Sequence, residues 1–129
     1  MSALDIVKAH YAAGAAGDPA GMAKDFADDI VWIEAEGGPF PGRFVGMPAI
    51  GAGVFGPLNE TFDNFRVLTD EFVVDGKVVV MIGRYAATAR ATGKPVEARV
   101  VHKWTVRDDK VVEMEQIVDS HLMWLAQQP

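Results

Sequence analysis

The stretch Pro95–Val106, PVEARVVHKWTV, alternates without a break. Val96, Ala98, Val100, His102, Trp104 and Val106 fall on one side; Glu97, Arg99, Val101, Lys103 and Thr105 fall on the other. Successive strand side chains point to opposite faces, so this run fits a strand with one face on a core and one in water. A sheet wet on one face is normally antiparallel. The same strand carries a histidine on its apolar side.

The flanking sequence supplies partners. Residues 64–75 and 77–91 are rich in Val, Ile, Phe and Thr, and Asp75-Gly76 between them is a hairpin signal. Thr92-Gly93-Lys94 turns into the alternating strand, and Arg107-Asp108-Asp109-Lys110 turns out of it into a last strand, 111–118. A two-residue loop at Asp108-Asp109 would pair His102 with Glu115 and Trp104 with Glu113, placing two glutamates on the apolar face. A three-residue loop with a bulge at Asp109 pairs Trp104 with Val112 and His102 with Met114. It turns Val112, Met114, Gln116 and Val118 inward and sets Lys103 opposite Glu113. Burial favours this second register.

The first half reads as helices. Leu4, Val7, Tyr11 and Ala15 share one face of a helix over 3–16, which Gly17 ends. Asp18-Pro19 opens a second helix over 19–27, with Met22 and Phe26 inward. Asp28-Asp29 turns into a strand over 30–35. GGPFPGRFVG is punctuated by glycine and proline and does not stay regular for long. Pro48 opens a third helix over 47–55, which Gly56-Pro57 stops. Asp119-Ser120 caps a short last helix carrying Leu122, Met123 and Leu125. Helices first, one early strand, then a four-stranded antiparallel meander make an α+β domain. A strongly twisted sheet wrapped around the N-terminal helices would leave a pocket on its concave face.

Composition limits the function. The 129 residues suit one domain, 1–129, and half of them are hydrophobic. No apolar run approaches the roughly 20 residues that span a bilayer. The N-terminal stretch lacks the basic-then-apolar pattern of a signal peptide, so a cytoplasmic location is the default expectation. Without cysteine there is no disulfide, thiolate nucleophile or thiolate metal site. A net charge of −6 and no stripe of Lys and Arg speak against nucleic acid and anionic membranes as partners. His10, His102 and His121 show no metal-ligand spacing, so no metal is expected.

One residue breaks the apolar pattern. If Ile30 and Trp32 face the core, period-two alternation turns Glu34 inward as well. A buried carboxylate is costly unless it is paired or given a task. The alternative is that Glu34 ends its strand in solvent or beside a cation such as Arg43.

Three stretches in this order, YAAGAAGD, FADDIVWIEAEGGPFPGRFVG and VVHKWTVRDDKV, resemble the nuclear-transport-factor-2-like superfamily. Within it they are similar to the SnoaL-like and ketosteroid-isomerase-like proteins. The resemblance implies a cone-shaped α+β barrel, often a homodimer, around an apolar pocket. It does not imply one chemistry, because the family includes isomerases, cyclases, hydrolases, dehydratases and binders. Counting five positions from Asp29 puts Glu34 on the isomerases' base position, and His102 falls on the position of their acidic hydrogen-bond donor. Their tyrosine donor on the first helix corresponds to His10, with Tyr11 beside it. In SnoaL-type cyclases a histidine like His102 partners an Asp on the last strand; here that position is Gln116, which is neither acid nor base. Epoxide hydrolases of this fold use an Asp-Arg-Asp set, and Val101 breaks that pattern after Arg99. Asp119 matches a terminal Asp that is catalytic in some relatives, and it also suits a helix cap.

Together these imply proton transfer or isomerisation on an apolar carbonyl compound without a cofactor. Glu34 is then the base and His102 the donor. The pocket wall would comprise Tyr11, Trp32, Phe40, Phe55, Met81, Trp104, Met114 and Gln116. Desolvation between the tryptophans should raise the Glu34 pKa. The alternatives are a non-catalytic binder of a small apolar ligand and a cyclase- or epoxide-hydrolase-like relative.

Overall fold

In the computed structural model, which describes residues 1–129, the first helix is fastened at its start by a reciprocal cap. Ser2 Oγ accepts from the Asp5 N–H at 3.1 Å, and the Asp5 carboxylate accepts from the Ser2 N–H at 3.3 Å. The helix α1, Ala3–Ala15, buries Ala3, Ile6, Val7 and His10. Tyr11 is half-buried beside that stripe. Gly17 leaves the helix with φ 69°, a conformation glycine adopts at little steric cost.

Helix α2 spans only Pro19–Ala23, capped by Asp18. The expected continuation to residue 27 yields to pairing: Phe26 opens strand β1, Phe26–Glu34, opposite Val111. The punctuated loop also holds a strand that the sequence reading missed. β2, Gly42–Val45, runs antiparallel to β1 with Trp32 opposite Phe44 and Glu34 opposite Gly42.

Gly56-Pro57 does not stop the third helix. Helix α3, Met47–Ile50, widens into a π turn over Gly51–Phe55 and continues as α4, Gly56–Thr61. Pro57 sits in the first turn of α4, where its missing N–H is not needed. The remaining elements are β3, Phe62–Asp75; β4, Val78–Ala89; β5, Pro95–Arg107; β6, Lys110–Val118; and α5, Ser120–Leu125.

The fold is α+β as expected. Six strands form one curved, mainly antiparallel sheet in the order β2-β1-β6-β5-β4-β3. β1 and β6 run parallel, and the sheet stays open, with β2 and β3 at its edges.

The β5–β6 register corrects both sequence alternatives. Arg107 pairs with Lys110, so the loop is the two residues Asp108 and Asp109, both left-handed at φ 52° and 58°. Positive φ at both positions is what a type I′ hairpin requires. A register shift follows immediately: Val106 pairs with Val111, but Thr105 pairs with Glu113. Val112 is the extra residue. It resets the parity, so that Trp104 faces Met114, His102 faces Gln116 and Lys103 faces Glu115. Met114 and Gln116 are inward as expected; Val111 replaces Val112 in the core.

Two apolar clusters flank the concave face. One joins α1 to Ile30, Trp32, Trp104, Val106, Val111 and Met114. The other joins Phe62, Met81, Tyr85, Val100 and Met123.

Candidate active site

A cavity of about 610 Å³ opens between α1, the π turn and the concave sheet. That volume is in the usual range for small-molecule sites. Most of its wall is apolar. Eight polar residues line it: Asn59 and Arg66, from α4 and β3, and a group of six, His10, Tyr11, Glu34, Tyr85, His102 and Gln116, from α1 and four strands. Of the residues expected on the wall, Tyr11, Trp32, Phe40, Phe55 and Gln116 line it. Met81, Trp104 and Met114 do not: all three are fully buried, as side chains beneath the cavity surface.

Strand β1 delivers Glu34. Ile30, Trp32 and Glu34 alternate inward, and Glu34 is only 7% exposed. Arg43 is not its partner. It stands opposite Ile33, one residue out of phase, and so belongs to the other face. No ion pair or hydrogen bond holds the carboxylate. Burial pushes its pKa up to about 7, and the nearby Trp32 indole pulls the other way. The Trp32 Nε1 atom is itself buried and completes no hydrogen bond. Its effect on Glu34 is therefore that of an oriented N–H dipole close by.

His102 sits at the middle of a polar chain. Its Nδ1 lies 2.6 Å from the Tyr11 hydroxyl, and its Nε2 lies 2.6 Å from the Tyr85 hydroxyl. Trp104 Nε1 donates to the Tyr11 oxygen at 2.8 Å, and Gln116 Nε2 donates to the Tyr85 oxygen at 2.8 Å. Gln116 Oε1 accepts the Ala35 N–H at 3.1 Å. Burial holds His102 neutral by driving its pKa down to about 3, with the nearby His10 acting in the same direction. Burial likewise raises the Tyr85 pKa well above its ordinary value, and the Glu34 charge adds to it. Both ring nitrogens of His102 are thus engaged with phenols, and the groups with a hydroxyl on the cavity are Tyr11 and Tyr85.

On α1, Tyr11 joins the polar chain, while His10 turns its Nδ1 to the Met22 carbonyl at 2.9 Å. That settles which of the pair reaches His102. The sequence reading missed Tyr85. The parity Val79, Met81, Gly83, Tyr85 along β4 carried the signal, because these residues share the inward face. Asp119 caps α5 by accepting the Leu122 N–H at 3.4 Å and is not on the cavity wall. No helix is long and apolar enough to cross a membrane.

The SnoaL-like domain family model matches residues 7–114. A nuclear-transport-factor-2-like protein from Burkholderia thailandensis is 39% identical, with a TM-score of 0.96 over 100% of this chain and 99% of its own. A second, of unknown function, from Burkholderia pseudomallei is 23% identical, with a TM-score of 0.91 over 100% of both chains. A SnoaL-like polyketide cyclase, so described, from Jannaschia is 19% identical, with a TM-score of 0.83 over 98% of this chain and 92% of its own. The last two show the fold alone. No curated protein matches.

Proposed function

The chain belongs to the SnoaL-like domain family, and on that premise we propose that it moves a proton on a small, largely apolar carbonyl compound held in the cavity. Glu34 is the general base. The observation that carries this reading is a buried, unpaired carboxylate on an apolar cavity wall that phenolic donors share. A base with a pKa near 7 is ionised often enough to accept a proton and basic enough to hold it. A tyrosine hydroxyl meets the charge that develops on the carbonyl oxygen. His102 serves by positioning the tyrosines rather than by touching the substrate.

Gln116 argues against an acid–base role in the manner of the cyclases, since both ends of its amide are engaged within the protein. A non-catalytic binder is the second reading, favoured by the largely apolar wall. The two separate cleanly. Glu34→Gln should abolish deuterium exchange into a bound ketone while leaving its affinity within a few-fold. Exchange at the unsubstituted rate in that variant removes Glu34 as base. Absence of exchange in the unsubstituted protein across a panel of bound ketones favours the binder.

A further inference from the structure

Three groups in the polar chain carry three exchangeable protons: the Tyr11 hydroxyl, the neutral His102 ring and the Tyr85 hydroxyl. Two hydrogen bonds join them, one at each ring nitrogen, and each uses one proton. One proton is left over. It belongs to whichever tyrosine accepts from the ring, because that oxygen does not spend its own proton on His102.

We infer that the tautomer of His102 decides which of Tyr11 and Tyr85 offers its hydroxyl proton to a ligand in the cavity. With the proton on Nδ1, the ring donates to Tyr11, whose oxygen also accepts from Trp104 Nε1, and the Tyr11 proton is free. Tyr85 then donates to Nε2. With the proton on Nε2, the ring donates to Tyr85, whose oxygen also accepts from Gln116 Nε2, and the Tyr85 proton is free. Tyr11 then donates to Nδ1. Each tyrosine oxygen has an outside donor, so in either state both ring nitrogens and both phenolic oxygens are bonded, and the one donor without a partner in the protein is the free hydroxyl proton. Both tyrosines line the cavity.

The site therefore presents one phenolic donor at a time, at either of two places. It suits a ligand with a single strong acceptor oxygen on its polar side, a ketone or its enolate, and lets that oxygen sit in either orientation. A ligand needing two donors at once, such as a carboxylate bridging both tyrosines, finds only one. This sharpens the substrate class of the proposed reaction but does not depend on Glu34 being the base, because its test needs no turnover.

The test uses the full chain labelled with ¹⁵N-histidine, in which the nitrogen shifts of His102 report the two tautomers. In Tyr11→Phe the ring should move to the Nε2–H form, since an unpartnered lone pair at Nδ1 costs less than an unpartnered N–H. In Tyr85→Phe it should move to the Nδ1–H form. Opposite displacements in the two variants support the inference. The same tautomer in both, or imidazolium shifts at neutral pH, overturns it. Should Tyr85→Phe fail to fold, unsubstituted protein and Tyr11→Phe still decide: the Nδ1–H share must fall in the variant, and an unchanged ratio overturns the inference.

Discussion

His102 and Gln116 stand directly opposite each other across the β5–β6 ladder, and the Tyr85 hydroxyl bonds to both side chains. Gln116 also holds the Ala35 N–H just beyond Glu34. A neutral amide is well suited here, because its two ends satisfy a backbone donor and a phenolic oxygen at once. One residue thereby ties the Glu34 end of β1 to the tyrosine–histidine chain.

Replacing that amide tests the tie. Gln116→Leu keeps the volume roughly but leaves the Ala35 N–H and the Tyr85 oxygen each short of a partner. The expected loss is about 1–3 kcal/mol of stability, read from urea unfolding. A variant as stable as the parent would mean water replaces the amide without penalty.

Stability should also follow pH in a way that exposes Glu34. Its folded pKa, raised to about 7 from 4.5, makes the folded state hold more protons between those values, so stability falls as pH rises through that window. The loss it causes above that window is on the order of 3 kcal/mol. His102 acts oppositely. With its folded pKa lowered to about 3 from 6.5, the unfolded state holds more protons there, and stability rises with pH. The two slopes oppose each other where the windows overlap. Glu34→Gln leaves the slope of His102 and that of His10, whose pKa burial also lowers, so its stability should climb as pH rises from 5 to 6.5 and exceed the parent's most clearly at pH 8. Superimposable unfolding midpoints across this range would contradict the buried, unpaired carboxylate.

The exchange rate carries a separate pH signature. A base must be ionised to act, so exchange into a bound ketone should rise with pH through about 7 and then level. A profile rising instead near the ordinary carboxylate value of 4.5 would place the active group in water.

Trp32→Phe removes the indole N–H that favours the charged form of Glu34. The Glu34 pKa should move further upward, measured by the carboxyl ¹³C shift, and the exchange profile should move with it. An unmoved Glu34 titration would show that the indole dipole contributes nothing.

Gly83 tests the curvature of the sheet. It lies inward between Met81 and Tyr85, opposite Thr69, just where β3 slips register before Glu71. A Cβ at this position would run into the Leu68 carbonyl oxygen and the Met81 sulfur. Gly83→Ala should cost about 1–3 kcal/mol, since backbone must shift to make room. Equal thermal midpoints for parent and variant would argue that β3 yields easily.

Parity was the part of this protein most legible in its sequence. It placed Glu34, His102 and Gln116 inward, and all three line one cavity. Depth was not legible. Met81, Trp104 and Met114 share the inward parity, yet they lie beneath the wall, because alternation gives a face and not a distance from its surface. Register failed at Val112. A bulge two residues beyond a turn restores burial as well as a longer turn does, and the pattern cannot tell them apart. β2 was hidden because Gly42 and its neighbours read as punctuation, while pairing with β1 imposes the strand from outside. Tyr85 was overlooked because no charged residue marks the inward face of β4, where Val79, Met81, Gly83, Tyr85 and Ala87 follow one another; only its partners reveal its polar role.

The parallel seam between β1 and β6 bears on the order in which the protein is made. The bond from Ala35 to Gln116 closes over 81 residues of chain. Long-range closures of this kind slow folding and come after local hairpins have formed. The meander from β3 to β6 can zip from its turns, but β1 has to wait for β6 to emerge. During synthesis Glu34 therefore leaves the ribosome early and stays without its cavity until nearly the whole chain has followed. The pocket is among the last features to assemble, and a nascent chain cannot enclose a ligand before the sheet is complete.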